Sequence, residues 1–463
     1  MSKQMKAGVA TVLVLAGGAL YAQVSQVRPV ATPNPAISIS GPGISISGTN
    51  IRIRPDDERP GPDSAQVSAM LSALERSDPM VCEMAVDMLG NSWGWVRHEV
   101  GTFGDARDDR ALRDAFGGKL TDAGAIRSLS VALVSDNPCV RRASARLLGN
   151  GSTTQALAAL RDAFGSNEPR RREAAALGLG MAEDVESHDA LVRGLRDNVP
   201  AVARMSAYAL GEIEDERSIE PLAGALRSSD RGVRLAAVWA LGMIESSRAV
   251  DPLLPLLRTD DAGIRLATIE ALGEIEDVKA VDGLVDVLDD RDATVRRAAA
   301  EALGQIEDTG AVDGLVRAVR DAEPKVRSAA IDALGQIEDA RAADAVASAL
   351  GDSDVEVRRA AVDAIGQLGL SSAPPRLIEA LQDRDPEIRH SAAHALGHIG
   401  DVAAVPALAR AYRASEPVEV RRAIVEALGE IEGQTATEVL VTAMKDVDVE
   451  VRRAAAEALG DRE

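Results

Sequence analysis

Residues 311–339 read AVDGLVRAVRDAEPKVRSAAIDALGQIED: a short apolar helix, a turn built on Asp321, Glu323 and Pro324, and a second, longer helix. The same plan recurs along most of the chain. The glycines that close the alanine-rich runs fall at 149, 180, 211, 242, 273, 304, 335, 366, 397, 429 and 460, a spacing of 31 residues with a single 32. In the copy that ends at Gly304, Val295, Ala298, Ala299, Ala302, Leu303 and Ile306 recur at helical intervals and form a buried stripe. Neither helix can bury such a stripe alone, so the sequence predicts an all-α fold, an α-solenoid of two-helix repeats in which neighbours supply one another's core.

Composition agrees. A chain of 463 residues with 46% hydrophobic but only 2% aromatic residues must build its core from Ala, Leu, Val and Ile. Side chains this small suit helices packed close together.

The N-terminal residues MSKQMKAGVATVLVLAGGALYAQ carry two lysines and then an acid-free apolar run from Ala7 to Ala22. They read as a secretory signal peptide over 1–22, cleaved after Ala22, with an uncleaved anchor as the alternative; the run is short for a membrane span. The expected location is therefore exported, periplasmic or extracellular, with no membrane span after cleavage. Losing Lys3 and Lys6 takes the net charge from −21 to −23, which repels nucleic acid and anionic membrane surfaces. Two cysteines, Cys82 and Cys139, stand as a single bridge or as two buried thiols, and their alanine-like helical contexts favour thiols. Residues 23–63 are rich in Pro, Gly and Ser and read as a linker. Their alternation AISISGPGISISGTNIRIRP allows a hairpin or a strand added to a partner's sheet, but the Gly and Pro content favours disorder in the chain alone.

The pattern (D/E)-x-x-V-R-x-A-A-x-x-A-L-G-x-I-(E/G)-D followed by A-V-x-x-L resembles HEAT-like repeats of the kind found in phycobilin lyase subunits. The resemblance covers ten regular repeats over 152–463. Irregular helices over 64–151, with an earlier copy ending at Gly90, depart from it and gather Trp93, Trp95, Phe103 and Phe116 as an N-terminal cap. What the resemblance implies is protein binding: such a fold offers a surface and leaves the chemistry to be read from that surface.

In HEAT solenoids the concave surface is lined by the positions of Arg297, Glu301 and Gln305. Along the middle column run Leu177, Tyr208, Trp239, Glu270, Glu301, Asp332, Asp363, His394, Glu426 and Glu457. Leu177, Met181, Tyr208, Leu235, Trp239, Met243 and Leu266 occupy positions that are polar or charged in later repeats. They are expected to form one exposed apolar patch, a partner-binding surface unless another segment folds over it. Trp239 should then be removable without harm to the fold. His390, His394 and His398 stack at four-residue spacing on one helix face, where Asp363 and Glu426 could complete a zinc shell; a solvated surface column is the competing reading. The arginines at 234, 265, 296, 327, 358, 389, 421 and 452 look like the family's ladder, reaching turn aspartates such as Asp321, Asp352, Asp383 and Asp446, which can also cap the second helix.

No glycine-rich phosphate loop, nucleophile elbow or Cys/His cluster is present. The one His-Glu pair, His98-Glu99, contrasts with the several that hold two irons in deoxyhypusine hydroxylase. The reading is a non-catalytic scaffold with no cofactor and an unknown protein partner. The alternatives are a metal-dependent binder or sensor and a bilin-lyase-like enzyme subunit.

Overall fold

The computed structural model describes residues 60–77 and 118–460, together with the backbone of three short strands between 38 and 53. The strands β1 (Ser38–Gly41), β2 (Ile44–Ser47) and β3 (Asn50–Ile53) form an antiparallel meander in the order β1-β2-β3, with Ile39 paired to Ile46 and Ile46 to Ile51. The Ile/Ser alternation is paired in these strands, as the hairpin reading of the sequence allows. Among the other described residues the regular elements are helices, with one isolated parallel bridge between Pro60 and Lys119. Trp93, Trp95, Phe103, Phe116, Gly90 and the His98-Glu99 pair lie outside the described residues, as do the apolar run 7–22 and Cys82.

The chain divides into two compact units, 1–244 and 245–463. In the first, helices α1 (Ser64–Arg76), α2 (Ala123–Ala132) and α3 (Pro138–Asn150) precede the paired helices α4 (Thr154–Phe164) and α5 (Pro169–Met181). Two further pairs follow, α6 (His188–Gly194) with α7 (Pro200–Glu212) and α8 (Ile219–Ala225) with α9 (Arg231–Met243). The second unit opens with α10 (Val250–Leu253) and α11 (Ala262–Ile275), then α12 (Val281–Val287) with α13 (Ala293–Ile306) and α14 (Val312–Ala318) with α15 (Pro324–Ile337). It continues with α16 (Ala343–Ala349) and α17 (Val355–Gln367), then α18 (Pro375–Ala380) and α19 (Pro386–Ile399). It ends with α20 (Val405–Ala411), α21 (Val418–Glu430), α22 (Gln434–Ala443) and α23 (Val449–Gly460). Within each pair the first helix is short and the second long, as the sequence predicts.

Local chemistry sets the helix ends. Asp230, Asp261, Asp292, Asp354 and Asp385 cap second helices through their carboxylates, and Pro169, Pro200, Pro324 and Pro386 sit in the first turn, where a missing N–H costs nothing. At the far end the chain turns through a left-handed residue. Glu183, Glu214, Glu245, Glu276, Glu307 and Glu338 carry φ between 48° and 55°, and Gly369 and Gly400 take the same role with φ of 59° and 70°. A side chain in that conformation costs about 1–2 kcal/mol, which glycine avoids. The (E/G) position of the repeat is therefore a backbone requirement.

Packing follows the expected stripe. Val295, Ala299, Ala302, Leu303 and Ile306 are buried, with Ala298 only half-buried and Ala300 joining them. The repeat glycine lies where consecutive second helices approach most closely: a Cβ on Gly335 would stand 3.0 Å from the Ala364 Cα, and one on Gly304 3.0 Å from that of Ala333. A side chain at Gly304 or Gly335 would therefore have to push the neighbouring helix away, whereas at Gly366 the nearest atom, the Ala395 Cβ, stands 3.7 Å off.

The arginine ladder is present and binds a repeat to the next wherever the following turn supplies an acid, as it does not for Arg234, which donates only to the carbonyls of Ser228 and Ser229. Arg265, Arg296, Arg327, Arg358 and Arg421 form ion pairs with Asp290, Asp321, Asp352, Asp383 and Asp446 at 2.7–3.0 Å, each partner 25 residues on. Arg389 reaches Glu416 instead, two residues further along, and Arg172 holds Asp197 in the first unit. The same guanidinium donates from Nη1 to a carbonyl six residues before it, as Arg296 does to Asp290 and Arg327 to Asp321. Against expectation, the turn aspartates Asp321, Asp352, Asp383 and Asp446 do not cap the second helices. They accept the N–H two residues on, and the residue there, for example Asp354 or Asp385, supplies the cap. Cys139 is disulfide-bonded and no described cysteine is free, so the expectation of buried thiols is overturned; the sequence holds only one other cysteine.

Candidate functional site on the second helices

The ladder and the core leave one face of each second helix to carry side chains that differ from repeat to repeat. In the second unit Arg297, Glu301 and Gln305 are exposed on α13, as the helical register requires. The middle column continues with Asp332 on α15 and Asp363 on α17, both exposed. Their carboxyls titrate above the ordinary range. For Asp332 the causes are loss of water around it and the neighbouring carboxylates Asp363 and Glu301; for Glu274 on α11 they are desolvation, Glu270 and Glu245. Desolvation also raises Asp363, against Arg359 and a hydrogen bond from Ser391. Asp332 and Glu274 are each surrounded by like charge, with no cation at ion-pair distance among the described residues. Glu301 is held only by Arg297 at 3.3 Å on its own helix.

The first unit's face is apolar, but it is not the exposed patch the sequence predicts. Leu177 is 8% and Tyr208 5% exposed, while Met181, Leu235, Trp239 and Met243 are half-buried. Leu266, also half-buried, belongs to the second unit. The physical reason is plain at Met181 and Trp239, which lean onto the preceding second helix: a Cβ on Gly149 would stand 3.1 Å from the Met181 Cβ. The Trp239 ring lies over Gly211, where a Cβ would meet it at 2.8 Å, and packs edge-on against Tyr208 with ring centroids 5.1 Å apart at 62°. Beside them Glu212 on α7 is half-buried, and its carboxyl is pushed up to about 7 by desolvation and by Glu183 and Glu214. A half-buried aromatic seated in this way contributes to the fold. Trp239→Ala is expected to cost about 1–2 kcal/mol, with urea unfolding as the measurement; a loss below about 0.5 would mean that the ring stands free of the fold.

A family model for HEAT repeats matches residues 126–209, 188–273, 219–302, 281–356, 344–418 and 411–463, which together run through most of the chain. The chain belongs to the HEAT-repeat family. No curated protein matches it. Among solved structures, the chain is similar to yeast importin-beta (Kap95p), at 15% identity and a TM-score of 0.52, and to Kap95p bound to RanGDP, at 14% and 0.54. Each likeness covers 86% of this chain, but the chain spans only 59% and 66% of the respective importin, less than two thirds of either. At that identity the likeness shows the fold. The CpcE–CpcF phycocyanin lyase complex from Nostoc is 25% identical over 52% of this chain and 94% of that one, with a TM-score of 0.31.

The histidine column of this HEAT protein is on α19. His390 and His394 pack edge-on with centroids 4.6 Å apart, and His394 Nε2 stands 3.7 Å from Glu426 Oε2. Burial, then the His390 charge, lowers the His394 pKa against the pull of Glu426 and Glu430. His398 is exposed one turn further on. Among the described residues no group of three or more His, Cys, Asp or Glu side chains is placed to hold a metal ion. The zinc shell of His390, His394, His398, Asp363 and Glu426 is therefore not assembled, since neighbours along one helix face supply at most a pair. Among the described residues no helix is long and apolar enough to cross a membrane.

Proposed function

We propose that this HEAT solenoid is a non-catalytic scaffold that holds a protein partner on the concave face of its second helices, and that the part of the partner lying on the second unit is cationic. One observation carries this reading: Glu274 and Asp332 are kept on an exposed face among like charges, with no cation among the described residues placed to neutralise them. A fold gains nothing from that arrangement. A partner's Lys or Arg side chains would relieve the repulsion and be steered toward it. The yeast importin-beta structures support a protein partner by analogy of fold. The disulfide at Cys139 and the apolar N-terminal run support an exported, oxidising location.

The test uses fluorescence anisotropy with labelled Lys/Arg-rich and Asp/Glu-rich peptides on the full chain. Binding of the basic peptide is expected to weaken about tenfold in the Glu301→Gln, Asp332→Asn, Asp363→Asn variant, and its salt dependence to flatten. Equal binding by wild type and variant, or preference for the acidic peptide, would refute the reading.

A further inference from the structure

We propose that the first unit carries a binding slot for an organic cation, a guanidinium or ammonium group on an apolar stem, formed by Trp239, Glu212, Met181 and Met243. The slot lies on α5, α7 and α9, apart from the acidic face of the second unit, and stands or falls independently of it. Tyr208 and Glu212 are one turn apart on the same face of α7. From α9 the Trp239 ring reaches across to Gly211, the residue before Glu212, and Tyr208 meets it edge-on at 62°. Tyr208 is buried and fixes the ring, while Trp239 is half-buried and keeps part of its surface in water. Met181 and Met243 hold the Glu212 position one repeat earlier and one repeat later, 31 residues to either side, and both are half-buried.

Each part selects the same ligand. An aromatic ring attracts a cation, a half-buried carboxylate holds one through charge-assisted hydrogen bonds, and the thioethers with the indole edge accept an alkyl stem. Among the described residues no cation stands at ion-pair distance from Glu212. Arg204, on the same face of α7, lies eight residues back, 4.0 Å from Glu173. Glu212 is also the last residue of α7, where the helix dipole is negative, and Glu183 and Glu214 add like charge. A neutral apolar ligand would leave the carboxyl without a partner, and an anion would be repelled by all three acids. The Glu212 carboxyl, pushed up to about 7 by desolvation and those acids, gives up its proton when a cation arrives.

Butylguanidinium, titrated into the full chain labelled with nitrogen-15 at its tryptophans, tests this, with uncharged butylurea as the near-isosteric control. The sequence holds three tryptophans, and Trp239→Phe identifies the indole N–H signal of Trp239. That signal is expected to shift with a dissociation constant of about 1–10 mM at pH 8, and with one about tenfold weaker for butylurea. Guanidinium binding should weaken about tenfold from pH 8 to pH 6, because Glu212 takes up its proton there while the ligand does not titrate. Glu212→Gln should remove both the preference and the pH dependence. Butylurea binding as tightly as butylguanidinium, no saturation below about 100 mM, or a preference that survives Glu212→Gln would overturn the proposal.

Discussion

Arg421→Ala is expected to destabilise the second unit by about 3–5 kcal/mol, because it strips the partner from a carboxylate already out of water. The two side chains are only 5% and 6% exposed. Arg421 gives Nε and Nη2 to the two oxygens of Asp446 at 3.0 Å each, and Asp446 also accepts Tyr412 Oη at 2.6 Å and the Asp448 N–H at 2.9 Å. Burial alone would raise the Asp446 carboxyl; the bonds from Arg421, Tyr412 and the backbone outweigh it and hold the group down at about 2. A carboxyl lowered in the folded state stabilises the fold fully above its ordinary value near 3.8. That contribution is lost as the pH falls from there toward 2. Wild type should thus lose stability across that acid window and Arg421→Ala should lose less, having little left to lose. Urea unfolding at pH 7 measures the first effect and an acid titration of the midpoint the second. A cost below about 1 kcal/mol at pH 7 would place this pair among the weak surface ion pairs.

Glu212→Gln should stabilise the first unit by an amount that grows as the pH rises from 4.5 to about 7 and is full above that. The carboxyl sits half-buried near Glu183 and Glu214, which raises it from 4.5 to about 7. Between those values the folded chain keeps a proton that the unfolded chain has released. Stability from this group is therefore complete at low pH and falls as the pH rises through 7. A shift of this size corresponds to about 3 kcal/mol when buried, and partial exposure reduces it to about 1–3. Glutamine keeps the shape of the protonated acid without its titration. The variant should match wild type at pH 4 and exceed it by about 1–3 kcal/mol at pH 8, read from paired unfolding curves. An equal difference at both pH values would assign the effect to packing.

Both residues show how far the sequence could be read. The 31-residue period, the buried stripe and the ladder arginines were legible because each repeats, and repetition separates what the fold demands from what varies. The (E/G) alternation was visible, yet its cause, the left-handed turn at Glu307 or Gly400, lies in backbone geometry that no side-chain pattern encodes. The apolar members of the middle column were misread for a related reason. Their register is correct, but register gives a direction and not an exposure: Trp239 finds a slot over Gly211 and covers Tyr208. Glu212 passed unnoticed because its column runs Met181, Glu212, Met243, Glu274, a variable surface position by its sequence, and only burial beside other acids, at Glu212 and again at Glu274, sets the two carboxyls apart. The histidine column drew notice by its spacing, but a metal needs ligands from several directions, and one helix face supplies one.

Site-specific photo-crosslinking tests the partner surface most directly. With the photoreactive residue at Gln305, exposed on the second helix α13, or at Arg317, exposed on the first helix α14, the partner or the basic peptide is offered to the folded chain. The account predicts adducts at position 305 that are lost when Asp332 and Asp363 are neutralised, with little reaction at 317. Adducts concentrated at 317, or unchanged at 305 after neutralisation, would contradict it.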